Sequence, residues 1–154
     1  RRDGLTGLLN RNAMFELIAS TLEGLGHKGR HSLFMIDLDN FKAINDNFGH
    51  VFGDAVLREV ADELKKQFGN ELTYRMGGDE YVAFAPDLSE DRLHDKVRAF
   101  SLAIEQKDYH AALGWATCET ASLRMENLLR IAETRMYQAK SAYYQDKNTL
   151  PRGR

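Results

Sequence analysis

The sequence predicts an α/β fold of the α+β type, in which a central mixed antiparallel sheet is flanked by helices. Three observations predict this class. One largely apolar run, residues 31–36, has the length of a buried strand, and strand-like runs surround two adjacent glycines. Apolar residues recur at three-and-four spacing in several longer segments, which indicates amphipathic helices. After an opening helix, the elements follow the order βααββαβα.

The first half of the chain contains three predicted helices and the apolar strand. The predicted bounds are residues 11–23 for the opening helix, 31–36 for the strand, 40–48 and 54–68 for the next helices, and 49–53 for a turn. Asn10 is expected to cap the opening helix and Gly24 to end it. The apolar face of the third helix consists of Leu57, Val60, Ala61, Leu64 and Phe68.

The second half begins with a β-hairpin over residues 72–85, which Pro86 closes. Ser89 is expected to cap the next helix. A strand over residues 109–117 and a final helix over residues 125–144 complete the domain. The stripes interpreted as core are Leu93, Val97, Phe100 and Ile104 in the first of these helices, and Leu128, Ala132, Met136 and Ala139 in the last.

Composition indicates one ordinary globular domain, because 154 residues with 43% hydrophobic content can bury a core. A net charge of −2 and the lack of a basic stripe with interleaved aromatics argue against nucleic-acid binding. The single cysteine, Cys118, suits a reducing compartment. No apolar run approaches the roughly 18 residues of a membrane span. We therefore expect a cytoplasmic domain without membrane contact of its own, whether or not a longer parent protein is membrane-anchored.

The most informative stretch is the hairpin tip, where Gly77 and Gly78 precede Asp79 and Glu80. Glycine allows positive φ and lets a bulky ligand approach the backbone closely. Carboxylates at that position suit a hard divalent cation and the phosphates that it binds. The alternative is a solvated glycine hairpin with acidic flanks.

A second acidic group follows the apolar strand, where Asp37 and Asp39 precede a predicted helix. The free N–H groups of a helix that begins near Asn40 would point towards an anion beside Asp37. If the strand end lies next to the hairpin, the two sites form a two-carboxylate cradle for a magnesium–nucleotide. Alternatively, one aspartate merely caps the helix, which is worth about 1 kcal/mol. Asp39 is the better candidate for the cap and Asp37 for the ligand.

Several spaced signatures in this chain resemble those of the GGDEF domain, the catalytic module of diguanylate cyclases. The matching segments are Asp-Gly-Leu-Thr-Gly-Leu-Leu-Asn-Arg at 3–11, Asp-Leu-Asp-Asn-Phe-Lys at 37–42, Asn-Asp at 45–46, Gly-His at 49–50, Gly-Asp at 53–54, Arg-Met-Gly-Gly-Asp-Glu-Tyr at 75–81, Ala-Glu at 132–133 and Met-Tyr-Gln-Ala-Lys at 136–140. They occur in the family's order along nearly the whole chain. The resemblance implies the palm-like fold of nucleotide cyclases and polymerases.

The resemblance also implies a reaction. Two GTP molecules, each held by one domain of an antiparallel homodimer, condense into cyclic di-GMP and release pyrophosphate, as each 3′-hydroxyl attacks the other α-phosphorus. Residues 1–154 would be a single catalytic domain. Because the chain opens directly at the family's first motif, we expect a C-terminal fragment of a longer signalling protein with an N-terminal sensory domain.

The same resemblance assigns the metal and catalytic residues. Asp37 and Asp79, with the carbonyl of Leu38, would hold Mg²⁺ or Mn²⁺. The family places a proton-accepting role at Asp79, although a metal-bound carboxylate is a poor base near neutral pH. Glu80 would support the site geometry. Lys42 would stabilise charge on the phosphates, the alternative being a solvated helix lysine.

The substrate-binding positions are likewise implied by the family match. Asn45 and Asp54 correspond to guanine readers, although either could instead cap a helix. Lys140 corresponds to a lysine that binds the terminal phosphates. The remaining expected contacts with GTP are Phe41, His50, Arg75, Gly77 and Gly78. The other histidines, His27, His31, His94 and His110, show no metal-ligand spacing and are expected at the surface or at strand edges.

The chain departs from the family pattern at three places. Phe68 and Glu71 stand where many members have the arginine and aspartate of a product-inhibition site, so inhibition there is not expected. Tyr81 replaces a phenylalanine, and its ring is expected to pack in the same way. Tyr143, Tyr144 and Gln145 stand in place of Gly-Arg-Asn, so one phosphate-binding cation is missing unless Lys147 substitutes for it.

Two other classes of function remain. The domain could be a catalytically silent GTP-binding regulator of a neighbouring domain, although the retained Asp37, Lys42, Asp79 and Glu80 argue against this. It could instead be a structural dimerisation module, which a failure to bind magnesium–GTP would favour.

Overall fold

The computed structural model describes residues 2–25, 29–119 and 124–146. The helices are α1 (Arg11–Leu25), α2 (Phe41–Phe48), α3 (His50–Phe68), α4 (Glu90–Glu105) and α5 (Met125–Asp146), and a 3₁₀ turn spans Asn70–Leu72. The strands are β1 (Arg30–Leu38), β2 (Thr73–Gly77), β3 (Glu80–Pro86) and β4 (Ala111–Glu119). This α+β architecture and its element order confirm the prediction.

The four strands form one sheet in the order β2-β3-β1-β4, with each neighbouring pair antiparallel. A parallel bridge between Leu9 and Tyr74 joins the segment before α1 to the β2 edge. The central strand β1 is buried at every position from His31 to Leu38. The end of β1 is thereby fixed on both sides by backbone pairing, which leaves its last residues little freedom to move.

Apolar side chains fill both faces of the sheet. On one face Phe34 and Ile36 of β1 pack with α3 and α4, and on the other Leu33 and Met35 pack with α1 and α5. Full burial of one such side chain is worth about 1.5–3 kcal/mol. This alternation makes β1 the shared wall of both core layers and explains why its sequence is almost continuously apolar.

The predicted caps and the position of the hairpin turn are confirmed, but the hairpin strands run from Thr73 to Pro86 rather than over residues 72–85. The side chain of Asn10 accepts a hydrogen bond from the amide of Ala13 at 2.9 Å, and Ser89 Oγ accepts one from the amide of Arg92 at 3.3 Å. The hairpin turns at the two adjacent glycines, as predicted. The Cβ of any residue at position 114 would lie 2.3 Å from the carbonyl oxygen of Ala132, so Gly114 lets α5 pack directly on β4.

Several predicted bounds are wrong. Helix α1 continues through Gly24 to Leu25. Helix α3 begins at His50 rather than at Asp54, because only Gly49, with φ 88°, interrupts the helical path between α2 and α3. Asp54 therefore lies inside a helix and does not cap one. Strand β4 begins at Ala111, two residues later than predicted, because the amide of Tyr109 still donates a hydrogen bond to the last turn of α4.

The inward face of α5 differs from prediction at its C-terminal end. Ala139 is exposed, whereas Lys140 and Tyr144 are buried. The buried positions continue the four-residue spacing of the core stripe, which runs through Leu128, Ala132, Met136, Lys140 and Tyr144. The stripe becomes polar where α5 passes over the end of β1.

Candidate active site

A cleft of about 590 Å³ lies at the end of β1, between α2, the hairpin tip and the last turns of α5. Its lining residues are Leu38, Asn40, Phe41, Lys42, Ala43, Asn45, Asp46, Asn47, Gly78, Asp79, Lys140 and Tyr144. Seven of the predicted site residues are among them: Leu38, Phe41, Lys42, Asn45, Gly78, Asp79 and Lys140. The remaining predicted residues, Asp37, His50, Asp54, Arg75, Gly77 and Glu80, stand outside this lining.

Strand pairing brings the two predicted acidic groups together. Asp37 of β1 lies opposite Glu80 of β3, and the amide of Leu38 donates a hydrogen bond to the carbonyl of Asp79 at 3.1 Å. Asp37 is completely buried and Asp79 is 8% exposed. The predicted adjacency of strand end and hairpin is confirmed, and it results from the antiparallel register rather than from flexible side chains.

The hairpin tip has the backbone conformation that its two glycines predict. Gly77 has φ 141° and Gly78 has φ 53°, and an irregularity in the strand pairing lies between Arg75 and Gly77. A Cβ at either glycine would meet no atom within 4 Å, so backbone conformation rather than space requires glycine here. The open space above the turn leaves room for a ligand against the backbone.

Arg75 binds the hairpin tip to the N-terminal segment. Its Nη2 and Nε donate to the carbonyl of Gly78 at 2.7 and 2.9 Å, and Nη1 donates to Asp3 Oδ2 at 3.2 Å. Desolvation alone would raise the pKa of Asp3, but the hydrogen bonds that its carboxylate accepts from Thr6 and Arg75 have the larger combined effect. The pKa of Asp3 therefore lies below its ordinary value. These contacts give Arg75 a role within the fold, and a contact with substrate stays a prediction.

Lys140 reaches the same acidic group from α5. Its Nζ lies 3.4 Å from Asp37 Oδ2, and the lysine is 8% exposed. Since an isolated buried charge is costly, each partner offsets part of the desolvation of the other. The amine therefore lies on the floor of the cleft, next to the predicted metal-binding carboxylate.

The oxygen donors at this end of the cleft fit magnesium. Asp37, Asp79 and the backbone carbonyl of Leu38 supply the hard ligands that this ion prefers. Within residues 2–25, 29–119 and 124–146, no group of three or more His, Cys, Asp or Glu side chains is arranged to hold a metal. Magnesium that arrives with a nucleotide typically uses one or two carboxylates, completed by phosphates and water. The two carboxylates match that mode of binding.

Helix α2 forms the opposite end of the cleft, and α3 packs behind α2. A Cβ on the buried Gly53 would lie 1.8 Å from Asn45 Oδ1 and 3.4 Å from the ring of Phe41. The amide of Asn45 therefore packs against the bare backbone of α3. The next residue, Asp54, is half-buried, and His50 is exposed at the start of α3. Glycine at position 53 is thus a condition for the placement of Asn45.

The helix cap predicted for Asp39 is wrong. Asn40 occupies the N-cap position of α2 with φ 57° and forms no side-chain cap, while Asp39 Oδ2 contacts the ring of His110. The ring of His110 stacks on Tyr143 with centroids 3.8 Å apart.

Tyr144 Oη donates to Asn40 Oδ1 at 3.0 Å. Sequence reasoning missed this role of Tyr144, although the four-residue spacing from Met136 through Lys140 pointed to it.

The expectation of surface or strand-edge histidines holds only in part. His94 is exposed and His110 is half-buried beside β4, whereas His31 is completely buried. His31 stacks on Phe84, and its Nδ1 accepts a hydrogen bond from the amide of Asp87. Desolvation lowers the pKa of His31 against the opposing charge of Asp87. His27 lies outside the described residues.

The departures from the family pattern have structural counterparts. The ring of Tyr81 is buried, and its hydroxyl donates to the carbonyl of Leu57 at 2.8 Å. Phe68 packs on Phe34, and Glu71 pairs with Arg2 at the surface. Lys147 lies outside the described residues.

Among the described helices, none is long and apolar enough to cross a membrane.

Comparison with known proteins identifies similar sequences. The family model for "Diguanylate cyclase, GGDEF domain" matches residues 1–145. Diguanylate cyclase DgcP of Escherichia coli is 35% identical over 150 residues, which cover 90% of this chain and 44% of that protein. Cyclic di-GMP phosphodiesterase PdeR of Escherichia coli is 31% identical over 147 residues, covering 90% of this chain and 22% of that protein. The chain thus spans less than half of either relative.

Solved structures are also similar. A microbial GGDEF domain described in an interaction with cyclic di-GMP superposes with a TM-score of 0.78 at 32% identity, covering 92% of this chain and 93% of that one. A sensory box/GGDEF family protein from Caulobacter crescentus gives a TM-score of 0.74 at 29% identity, covering 92% of this chain and 98% of that one.

Proposed function

Because the chain belongs to the GGDEF domain family, we propose that it is a diguanylate cyclase. It would condense two GTP molecules into cyclic di-GMP and release two pyrophosphates. The observation that supports this most strongly is the meeting of Asp37 and Asp79 at the end of one cleft, with Lys140 beside them and Lys42 on its wall. That set contains the groups that phosphoryl transfer requires, namely oxygen ligands and cations for phosphate.

The acidic end would bind magnesium and the triphosphate. Asp37, Asp79 and the Leu38 carbonyl would hold the ion, which when bound neutralises charge on the phosphates and stabilises the attacking and leaving oxygens. We assign Asp79 to metal binding rather than to proton acceptance, because a nearby cation lowers the basicity of a carboxylate. Glu80, opposite Asp37 in the sheet, supports this geometry.

Two lysines would bind phosphate oxygens from different sides. Lys42 is exposed in the first turn of α2, where the free backbone N–H groups of the helix also favour an anion. Lys140 approaches from α5 beside Asp37. Two cations around one phosphate chain would stabilise the negative charge that develops on the leaving pyrophosphate, and so lower the free energy of the transition state.

Asn45 and Asp54 would select guanine. An amide and a carboxylate can meet the N2, N3 and N1–H groups of guanine, a pattern that adenine cannot satisfy. Such a site is strongly selective, because the wrong base would leave its polar groups without hydrogen-bond partners. The packing of Asn45 against Gly53 supports this assignment, because it holds the amide in a defined place.

The reaction would require two copies of the domain. Each cleft holds one GTP, so a 3′-hydroxyl can reach the α-phosphorus of the other nucleotide only when two clefts face each other. We propose a transient antiparallel homodimer, under the control of an N-terminal sensory domain in the parent protein. The isolated domain would be a monomer whose specific activity rises with its concentration.

Incubation with magnesium and GTP, followed by chromatography, tests this function. We expect cyclic di-GMP and pyrophosphate from the wild type, and a loss of at least about 1,000-fold in Asp79→Ala. An exposed acid on α3, in Asp62→Asn, provides the control and should leave turnover unchanged. GTP binding without turnover, even after artificial dimerisation, would replace the proposal with a silent regulator. Failure to bind magnesium–GTP would favour a structural module.

A further inference from the structure

The last turns of α5 contact the turn that joins β1 to α2. Tyr144 is buried, lines the cleft and donates its hydroxyl to Asn40 Oδ1 at 3.0 Å. Lys140, one turn earlier on the same face, contacts Asp37. Residues four apart on a helix lie side by side, so one side chain contacts Asp37 near the end of β1 and the other contacts Asn40, the last residue of the turn before α2.

A second contact lies between these two. Tyr143 stacks on the ring of His110 with an interplanar angle of 15°, and that ring contacts Asp39. The amide of Asp39 also donates to the carbonyl of His110 at 2.9 Å. The turn is therefore held by both the side chain and the backbone of residues packed under α5.

The turn needs such support because Asn40 has a left-handed backbone conformation. Its φ of 57° is uncommon for a residue with a side chain, although asparagine adopts it more readily than most, and the Asn40 side chain makes no capping bond to α2. The turn determines the direction in which α2 leaves the sheet. It thereby determines where Lys42 lies relative to the carbonyl of Leu38.

We propose that Tyr144 acts through Asn40 as a positioning residue, which holds the β1–α2 turn in the geometry that catalysis requires. This proposal rests on the proposed cyclase function. Tyr144 stands where the family pattern has the arginine of Gly-Arg-Asn, so this chain has an internal hydrogen bond to the turn at a place where a phosphate-binding cation was expected. The contribution of this position to the reaction would be orientation rather than charge.

Steady-state kinetics of Tyr144→Phe test the proposal, since phenylalanine keeps the ring and removes only the hydroxyl. We expect kcat for cyclic di-GMP to fall about tenfold while KM for GTP changes less than threefold, because small errors in orientation slow the reaction more than they weaken binding. Asn40→Gly, which tolerates the left-handed backbone but lacks the acceptor, should match it. Asn40→Asp, which keeps an acceptor oxygen, should retain most of the activity.

The two changes should not add in Tyr144→Phe/Asn40→Gly, because both remove the same hydrogen bond. Tyr137→Phe is the matched control, since this tyrosine of the same helix is 46% exposed and outside the cleft. A raised KM at unchanged kcat would make Tyr144 a substrate contact and overturn the proposal. Additive losses in the double variant would overturn it as well.

Hydrogen exchange provides a readout that needs no turnover. The amides of Leu38 and Asp39 are hydrogen-bonded to the carbonyls of Asp79 and His110. Tyr144→Phe should raise their exchange rates about tenfold with little change in the melting temperature. If the wild type makes no cyclic di-GMP, the cyclase proposal fails while this measurement still decides whether Tyr144 holds the turn. Unchanged exchange in Tyr144→Phe and Asn40→Gly would overturn the positioning role.

Discussion

The two ends of the cleft are built in different ways. At the acidic end, Asp37 and Asp79 are placed by hydrogen-bonded strands and lie almost without exposure to solvent. At the opposite end, Asn45 lies on α2, a helix of eight described residues, none of which is buried. The end proposed for chemistry is therefore part of the core, whereas the end proposed for base recognition depends on one helix packing against another.

Exposed apolar residues reinforce the contrast. Phe48, Val51 and Phe52, at the junction of α2 and α3, are 67%, 87% and 44% exposed. Little apolar burial near this junction means that local opening there costs less than opening of the sheet. Damage at the acidic end should therefore appear as lost stability and turnover, and damage at the α2–α3 end mainly as weaker substrate binding.

The largest stability effect is expected from Lys140→Met at the acidic end. The change leaves Asp37 charged and buried without its lysine, which typically costs about 3–5 kcal/mol. Urea denaturation should show this loss, and Asp37→Asn/Lys140→Met should recover part of it by removing the buried charge. A destabilisation below about 1 kcal/mol in the single variant would contradict the idea that the acidic end is part of the core.

At the other end, Gly53→Ala should affect substrate binding more than stability. The new methyl group would lie 1.8 Å from Asn45 Oδ1, so the amide must move away from its place in the cleft. We expect KM for GTP to rise about tenfold or more, with a small change in melting temperature, because a flexible side chain can yield. Gly4→Ala is the control, since a Cβ there meets nothing within 4 Å. An unchanged KM would separate Asn45 from base recognition.

Tyr81→Phe tests the hydrogen bond by which the buried side chain of Tyr81 joins β3 to α3. Loss of the contact from Tyr81 Oη to the Leu57 carbonyl should cost about 0.5–1.5 kcal/mol in urea denaturation. Turnover should stay close to that of the wild type, because the ring still fills its place in the core. A large loss of activity would show that the two ends of the cleft are coupled through this contact.

The smallest effect is expected from Asp3→Asn and depends on pH. The folded protein holds the pKa of Asp3 below its ordinary value, so the folded state binds fewer protons than the unfolded state near that pKa. The stability contributed by Asp3 is therefore present above the unfolded pKa of about 3.9 and is lost as pH falls through the folded value. Asp3→Asn should melt below the wild type at pH 7, and the gap should narrow near pH 3. A gap that stays constant with pH would mean that the Asp3–Arg75 contact contributes no charge-dependent stability.

The features that could be predicted from the sequence depend on interactions between residues close together in the chain. The caps at Asn10 and Ser89 and the turn at Gly77 depend on neighbours in the chain, so residue type alone identifies them. The core stripes follow from the helical period, and the family signatures locate the acids at Asp37 and Asp79. The order of elements, and with it the fold class, required nothing further.

Other features were decided only by the tertiary structure, because they depend on which segments meet. The predicted cap at Asp39 is wrong because the segment before β4 brings His110 beside it. The predicted burial of Ala139 is wrong because the buried face of α5 continues through Lys140, which pairs with Asp37 at the end of β1. Tyr144 reaches Asn40 across 104 positions of the chain. The helical spacing of apolar residues predicts which face of a helix will be buried. Only the assembled sheet determines whether that face meets apolar side chains or the charged end of a strand.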